Sequence, residues 1–186
     1  MKVLIIGGYG TFGFGIAERL SNEAGLEVIL AGRNLEKAKA ACAELEAAKA
    51  GAIYTPLALD RNKLALDFRP DLIVDASGPF QAYEHQTVVD YCLKHAIPYA
   101  DISDDGAFVE AVKRRSSKEV FLISGLSTCP VLSAIGLREV EREIGPAADI
   151  TIGIAPSPKA DLGRNVVAAV ANYAGQKIVP LSLIHI

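Results

Sequence analysis

The strongest chemical signal in the sequence is a run of seven residues near its start, Gly7-Gly8-Tyr9-Gly10-Thr11-Phe12-Gly13. Gly8, Gly10 and Gly13 satisfy the spacing G-x-G-x-x-G, with Gly7, Thr11 and Phe12 completing the loop. Each glycine has its own expected task. Gly8 permits a tight turn, Gly10 lets backbone approach a pyrophosphate, and Gly13 lets a helix pack closely on a strand. A helix opening there offers free N–H groups and a positive dipole end to phosphate. The spacing alone is a weak signal. It gains weight from its context, an apolar run before it and a helical pattern after it. The competing reading is a glycine-rich turn without a ligand.

A second element bears on which dinucleotide such a loop would take. Sites specific for NAD carry an acid near the end of the second strand, on the ribose 2′-hydroxyl. Here that region reads Ala31-Gly32-Arg33-Asn34, with an arginine where the acid would be. Arg33 can clamp a 2′-phosphate through two N–H groups, with Lys37 one helical turn on as a second charge and Asn34 between them. NADP is therefore expected over NAD; otherwise Arg33 is a solvated surface residue. Asp60, after the third strand, stands where an adenine edge would rest. Ser77-Gly78-Pro79 follows the fourth strand, at the carboxyl edge where open α/β sheets place ligands. Gly78-Pro79 also reads as a plain turn.

Hydride chemistry belongs to the cofactor, and the protein orients it and supplies a proton. Asp101, Asp104 and Asp105 follow the fifth strand, where an acid could hold a substrate amine or relay a proton. A polar loop with a helix-capping Asp accounts equally for 104 and 105, so Asp101 is the expected catalytic acid. Tyr83 and His85 lie beside the Gly-Pro turn and could donate to a substrate carboxylate, and Tyr83 is the second catalytic candidate. Cys129 reads as a cleft residue or as a small buried hydrophobe. An alternative enzyme class is the extended short-chain dehydrogenases. Gly7, Gly10 and Gly13 also fit G-x-x-G-x-x-G, and Tyr173 and Lys177 have Tyr-x-x-x-Lys spacing, though Gly175 between them weakens a helix. A non-catalytic NADP-binding module is a third possibility.

The elements that must position these groups alternate regularly. Residues 2–6 are apolar after a single Lys2 and rich in β-branched side chains, a buried parallel strand bounded by glycine. Helix is expected over 14–21, strand over 27–31, and helix over 35–49 with Asn34 as N-cap. Strands follow at 53–59, 71–76, 99–102 and 120–124, with helices at 83–95 and 107–116 between the later ones. Strand and helix alternating with short connections mean a parallel sheet with right-handed crossovers. Beyond Pro130 the pattern changes to a helix over 132–144, a strand over 150–155 and a helical segment over 166–173.

Composition supports a packed enzyme-like domain and excludes other classes. In 186 residues, 51% are hydrophobic, enough to bury a core, and the formal net charge of -3 has no block of like charge. That removes the electrostatic case for nucleic acid or an anionic membrane. Cys42, Cys92 and Cys129 are odd in number and far apart, which fits a reducing compartment. His85, His95 and His185 lack partners at metal-ligand spacing. No apolar run reaches membrane-span length and no secretory leader is recognisable, so a cytoplasmic location is expected.

Taken together, the motifs resemble those of the saccharopine dehydrogenase-like oxidoreductases. The likeness runs from residues 3–13 through Ala31-Gly32-Arg33-Asn34-Leu35-Glu36-Lys37-Ala38, Asp75-Ala76-Ser77-Gly78-Pro79-Phe80-Gln81 and Tyr99-Ala100-Asp101-Ile102. It continues in residues 124–130, 152–156 and 173–177. The resemblance implies a doubly wound α/β Rossmann domain over 1–125, then the start of a second α/β domain over 126–186 for substrate and dimerisation. It implies NADP-dependent hydride transfer at a C–N or C=O centre of a small amino-acid-like or lipid-like substrate. Family chains run to about twice this length, so the second domain is expected to be truncated. The tail, residues 180–186, departs from the family and resembles a translated sequencing-adapter tail. An unfinished sheet leaves edges and apolar surface exposed, so a homo-oligomer is expected.

Overall fold

A computed structural model describes residues 1–48, 51–83, 85–115, 117–147, 149–151 and 171. Among them, six parallel strands form one sheet: β1 (Lys2–Ile6), β2 (Glu27–Gly32), β3 (Ile53–Ala58), β4 (Leu72–Asp75), β5 (Tyr99–Asp101) and β6 (Leu122–Ile123). Five helices accompany them: α1 (Thr11–Leu20), α2 (Leu35–Ala47), α3 (Thr87–His95), α4 (Gly106–Lys113) and α5 (Thr128–Ile144). The strand order is β3-β2-β1-β4-β5-β6. The chain winds outward from β1 to β3 and then crosses to β4, so the order reverses between β1 and β4. Ligands of open α/β sheets bind at the carboxyl ends of strands at such a switch point.

The buried runs are apolar throughout because both faces of the sheet are covered. Side chains alternate across a strand, and β1 divides its own between two cores. Val3 and Ile5 join Ala17, Val28, Leu30, Ala41, Cys42 and Leu45 under α1 and α2. Leu4 and Ile6 join Ile73, Val88, Val89, Cys92, Tyr99, Phe108 and Val112 under α3 and α4. Pro56 lies in β3, at an edge of the sheet, where its missing N–H removes no ladder bond from the interior.

Several boundaries differ from those read in the sequence. Helix α1 begins at Thr11 rather than 14, because Gly10 serves as N-cap and the Phe14 amide already bonds the Gly10 carbonyl at 2.8 Å. The expected helix over 83–95 starts only at Thr87. A 3-10 turn, Phe80–Ala82, comes before it, and Phe80 is drawn into the core against Phe108 with ring centroids 5.0 Å apart. Helix α5 starts four residues earlier than expected and takes Pro130 into its first turn, where an N–H has no helical acceptor in any case. The strand expected at 150–155 and the helical segment at 166–173 lie almost wholly outside the described residues. Ile150 and Thr151, which are described, are not in a strand.

Candidate functional site

The glycine loop joins β1 to α1 at the switch point. Its left-handed residue is Gly7, with φ +79°, and Gly8 has no positive φ. The tight-turn task expected of Gly8 therefore falls to Gly7. The loop folds back on β2, with the Gly7 and Gly8 amides both donating to the Ala31 carbonyl at 2.8 and 3.1 Å. Helix α1 lies hard against it, since a Cβ at Gly13 would stand 2.2 Å from the Gly7 carbonyl oxygen. The loop also touches the end of β4, because a Cβ at Gly7 would stand 2.7 Å from the Ala76 carbonyl oxygen and 2.9 Å from Ser77 Cα.

The donor set at α1 suits an anion. The first-turn amides of a helix have no intrahelical acceptor. Here Gly10 offers no side-chain cap, and the first turn carries no acidic residue to repel a phosphate. Thr11, Phe12 and Gly13 are the amides left over, and Thr11 and Phe12 are exposed. A pyrophosphate therefore fits these residues.

The turn after β2 forms the second wall. Arg33, Asn34 and Lys37 are exposed. The Asn34 side chain caps α2, its Oδ1 accepting from the Lys37 amide at 3.0 Å. That gives Asn34 a fixed structural duty and leaves Arg33 and Lys37 as the open cations. A cleft of about 500 Å³ lies between the loop and α2, lined by Tyr9, Gly10, Thr11, Phe14, Lys37 and Glu44, among others.

The end of β4 holds a cluster that sequence reasoning missed. Asp75 is fully buried, and its Oδ2 accepts from Arg61 Nη2 at 2.8 Å. Its Oδ1 accepts from the Ser77 amide at 3.1 Å and from the Ser77 hydroxyl. The Arg61 guanidinium lies 3.5 Å from the centroid of the Tyr83 ring, a cation–π contact shielded from water. Arg61 is only 6% exposed, and its Nε and Nη1 have no hydrogen-bond partner. Tyr83 in turn donates its hydroxyl to the Ser77 carbonyl at 2.8 Å, with the Ser77 hydroxyl 3.2 Å away. Burial pushes the Tyr83 phenol above its usual range. The Ser77 hydrogen bond and the charges of Arg61 and Arg33 pull the other way.

The other expected residues fall in different places. Ser77 lies between the glycine loop and Tyr83, and the Gly78–Pro79 bond that follows is cis. Asp60 is exposed and caps the 3-10 turn Arg61–Lys63, its Oδ1 accepting from the Asn62 amide at 3.0 Å. Asp101 is fully buried, and its Oδ1 accepts from the amides of Ser103 at 2.8 Å and Gly125 at 3.0 Å. Through Oδ1 Asp101 fastens two turns, while its Oδ2 is buried without a hydrogen-bond partner. Asp105 caps α4 by accepting from the Phe108 amide at 3.1 Å, and Asp104 accepts from Gln81 at 3.1 Å. His85 is exposed, and the side chain of Cys129 and the pair Tyr173 and Lys177 lie outside the description.

No group of three or more His, Cys, Asp or Glu residues able to hold a metal ion occurs among the described residues. No helix among them is long and apolar enough to cross a membrane.

The family model described as the saccharopine dehydrogenase NADP binding domain matches residues 3–121. Among solved structures, apo saccharopine dehydrogenase (L-Glu forming) from Saccharomyces cerevisiae is similar at TM-score 0.55 and 18% identity, over 76% of this chain and 31% of that one. The 5-ketofructose reductase of Gluconobacter sp. strain CHM43 matches at TM-score 0.49 and 21% identity, over 80% of this chain and 52% of that one. A short-chain dehydrogenase from Sphingobium yanoikuyae in complex with NADPH gives TM-score 0.37 and 18% identity, over 54% of this chain and 52% of that one. No curated protein matches. At such identities the first likeness shows the fold alone, and the chain spans about a third of that relative's length.

Proposed function

The chain belongs to the saccharopine dehydrogenase NADP binding domain family, and from that premise we propose that it prefers NADP(H) to NAD(H) and serves hydride transfer at a C–N or C=O centre of a small amino-acid-like or lipid-like substrate. The observation that carries the cofactor preference is the exposed Arg33 at the end of β2, where an NAD site keeps an acid, with Lys37 on the next turn. Bound at this edge, the cofactor supplies or accepts the hydride.

The chain's own residues do the rest. The first-turn amides of Thr11, Phe12 and Gly13 hold pyrophosphate, while Gly7, Gly8 and Gly10 keep the backbone low enough for it to approach. Arg33 and Lys37 receive the 2′-phosphate beside Asn34. Asp60, at the end of β3, borders the adenosine side. Ser77, Gly78 and Pro79 line the reacting end. Tyr83 is the proton donor of this arrangement, its hydroxyl standing beside Ser77 just past the end of β4. To reach a substrate, its hydroxyl exchanges the Ser77 carbonyl for the substrate heteroatom. Asp101 acts at one remove, holding the turns at 103 and 125 beside that end.

The test is a titration of NADPH and of NADH, followed by nicotinamide fluorescence, on wild type and Arg33→Ala. A bidentate charged contact is worth about 1.5–3 kcal/mol, so NADPH should bind roughly 10- to 150-fold more weakly in the variant while NADH changes little. An unchanged NADPH dissociation constant defeats the assignment of Arg33.

A further inference from the structure

Two motifs of the site, the glycine loop and the turn after β2, are tied together by one side chain that neither phosphate binding nor proton transfer uses. Tyr9 is the loop residue between Gly8 and Gly10. Its ring lies across Gly32, so closely that a Cβ there would stand 2.5 Å from Cε1 and 2.7 Å from both Cζ and the hydroxyl oxygen. The same hydroxyl accepts the Asn34 amide at 2.9 Å. The ring is half-buried against the core under α1 and α2, and it forms part of the cleft whose far wall holds Lys37.

This arrangement explains Gly32. The residue has no positive φ among those recorded for the chain, so the need for glycine there is space for the tyrosine ring. It also bears on Asn34. That residue's side chain is committed to capping α2 and its amide is committed to Tyr9, so the turn carrying Arg33 is fastened twice at Asn34. One fastening point belongs to the helix and the other to the glycine loop.

We infer that Tyr9 is a specificity-determining positioning residue: it latches the Arg33–Lys37 turn to the phosphate loop, setting the spacing between the pyrophosphate amides and the cations that select a 2′-phosphate. The inference rests on the NADP reading above and adds the device that makes Arg33 selective. A bidentate guanidinium clamp loses its advantage over a simple point charge once its geometry is loose. Loosening the turn therefore reduces NADPH binding more than NADH binding, because NADH has no 2′-phosphate to be held.

Two substitutions perturb the latch by different routes. Tyr9→Phe keeps the ring on Gly32 and removes the acceptor for the Asn34 amide. Gly32→Ala leaves the tyrosine intact and pushes its outer ring atoms away, a shift that a side-chain end can make without moving backbone. The experiment measures NADPH and NADH dissociation constants for wild type, both single variants and the double variant. Amide hydrogen exchange at Asn34 is measured by NMR on the cofactor-free protein. Each single variant should lose about five-fold in NADPH-over-NADH preference, the size of one net hydrogen bond of about 1 kcal/mol. The double variant should be little worse than either single one, because both act on one contact. Asn34 exchange should speed up by at least the same factor in Tyr9→Phe. Unchanged preference in Tyr9→Phe, or equal loss for both nucleotides, overturns the inference and reduces Tyr9 to packing. Unchanged Asn34 exchange overturns it as well. A wild type that prefers NADH refutes the NADP reading itself, and that result is read before any substitution is made.

Discussion

Replacing Asp75 with asparagine tests whether the cluster at the end of β4 is the structural keystone of the site. The substitution keeps the shape of the side chain, and an amide oxygen can still accept from Ser77. What it removes is the charge opposite Arg61, whose guanidinium is 6% exposed and already has two nitrogens without a partner. Water cannot easily take over as counter-charge at such a site. Removing one member of a buried ion pair costs about 3–5 kcal/mol, because the other is left as an uncompensated buried charge. For a chain of this size each kcal/mol moves the midpoint by about 2–4 °C, so Asp75→Asn should melt roughly 6–20 °C below wild type. The assay is thermal unfolding followed by circular dichroism. Adding Arg61→Met, which removes the stranded charge and still packs against the Tyr83 ring, should recover much of the loss. If Asp75→Asn melts within about 2 °C of wild type, or if the second change makes matters worse, then Arg61 reaches solvent and the cluster is not a buried pair.

Other expectations follow from the same geometry. Gly13→Ala places a Cβ 2.2 Å from the Gly7 carbonyl oxygen. Backbone cannot step aside as a side chain can, so the variant should lose NADPH binding and about 1–3 kcal/mol of stability, read by titration and melting. Burial pushes the Cys42 thiol up to about 11 and the Cys92 thiol up to about 12. In a Cys129→Ser background, both should stay unreactive to a disulfide reagent at pH 8 until the protein unfolds; rapid native labelling would mean that these helices open readily. The same two groups, with Tyr99 raised further by burial, bind protons more tightly folded than unfolded. Their contribution is complete below about pH 9 and declines as the pH climbs past the unfolded thiol range. Denaturant midpoints should therefore fall from pH 9 upward, and a midpoint that rises there contradicts the burial. Leu132, Ile135 and Ile144 are exposed on α5; we expect concentration-dependent self-association in sedimentation, weakened by Leu132→Glu, and a monomer at all concentrations would count against it.

The parts of this account legible in the sequence are the local ones. The glycine loop, the arginine after β2 and the Asn34 cap each occupy a few consecutive residues whose types state their task. The inner strands were readable because strands buried on both faces are continuous apolar runs, as residues 3–6 and 28–31 are. What escaped was non-local. Arg61 and Asp75 are 14 residues apart and meet only because β3 and β4 end on the same edge of the sheet. Tyr9 and Asn34 are 25 apart, and no spacing rule links them until β1 and β2 are paired. The structural bonds of Asp101 were hidden for a related reason: a strand-end acid is equally well placed to face a ligand or to tie down the turns beside it. Its buried bonds to Ser103 and Gly125 follow from where the β6 end returns. The late start of α3 was hidden because Phe80 is drawn into the core, a packing effect that helical periodicity does not register.

In the proposed function, the loop after β1 and the turn after β2 together bind the phosphates of NADP. A crystal structure of the protein with NADP bound decides this. Pyrophosphate is expected on the amides of Thr11, Phe12 and Gly13, and the 2′-phosphate within hydrogen-bond distance of the Arg33 guanidinium. A 2′-phosphate standing free in solvent, or a nucleotide bound away from the glycine loop, would contradict it.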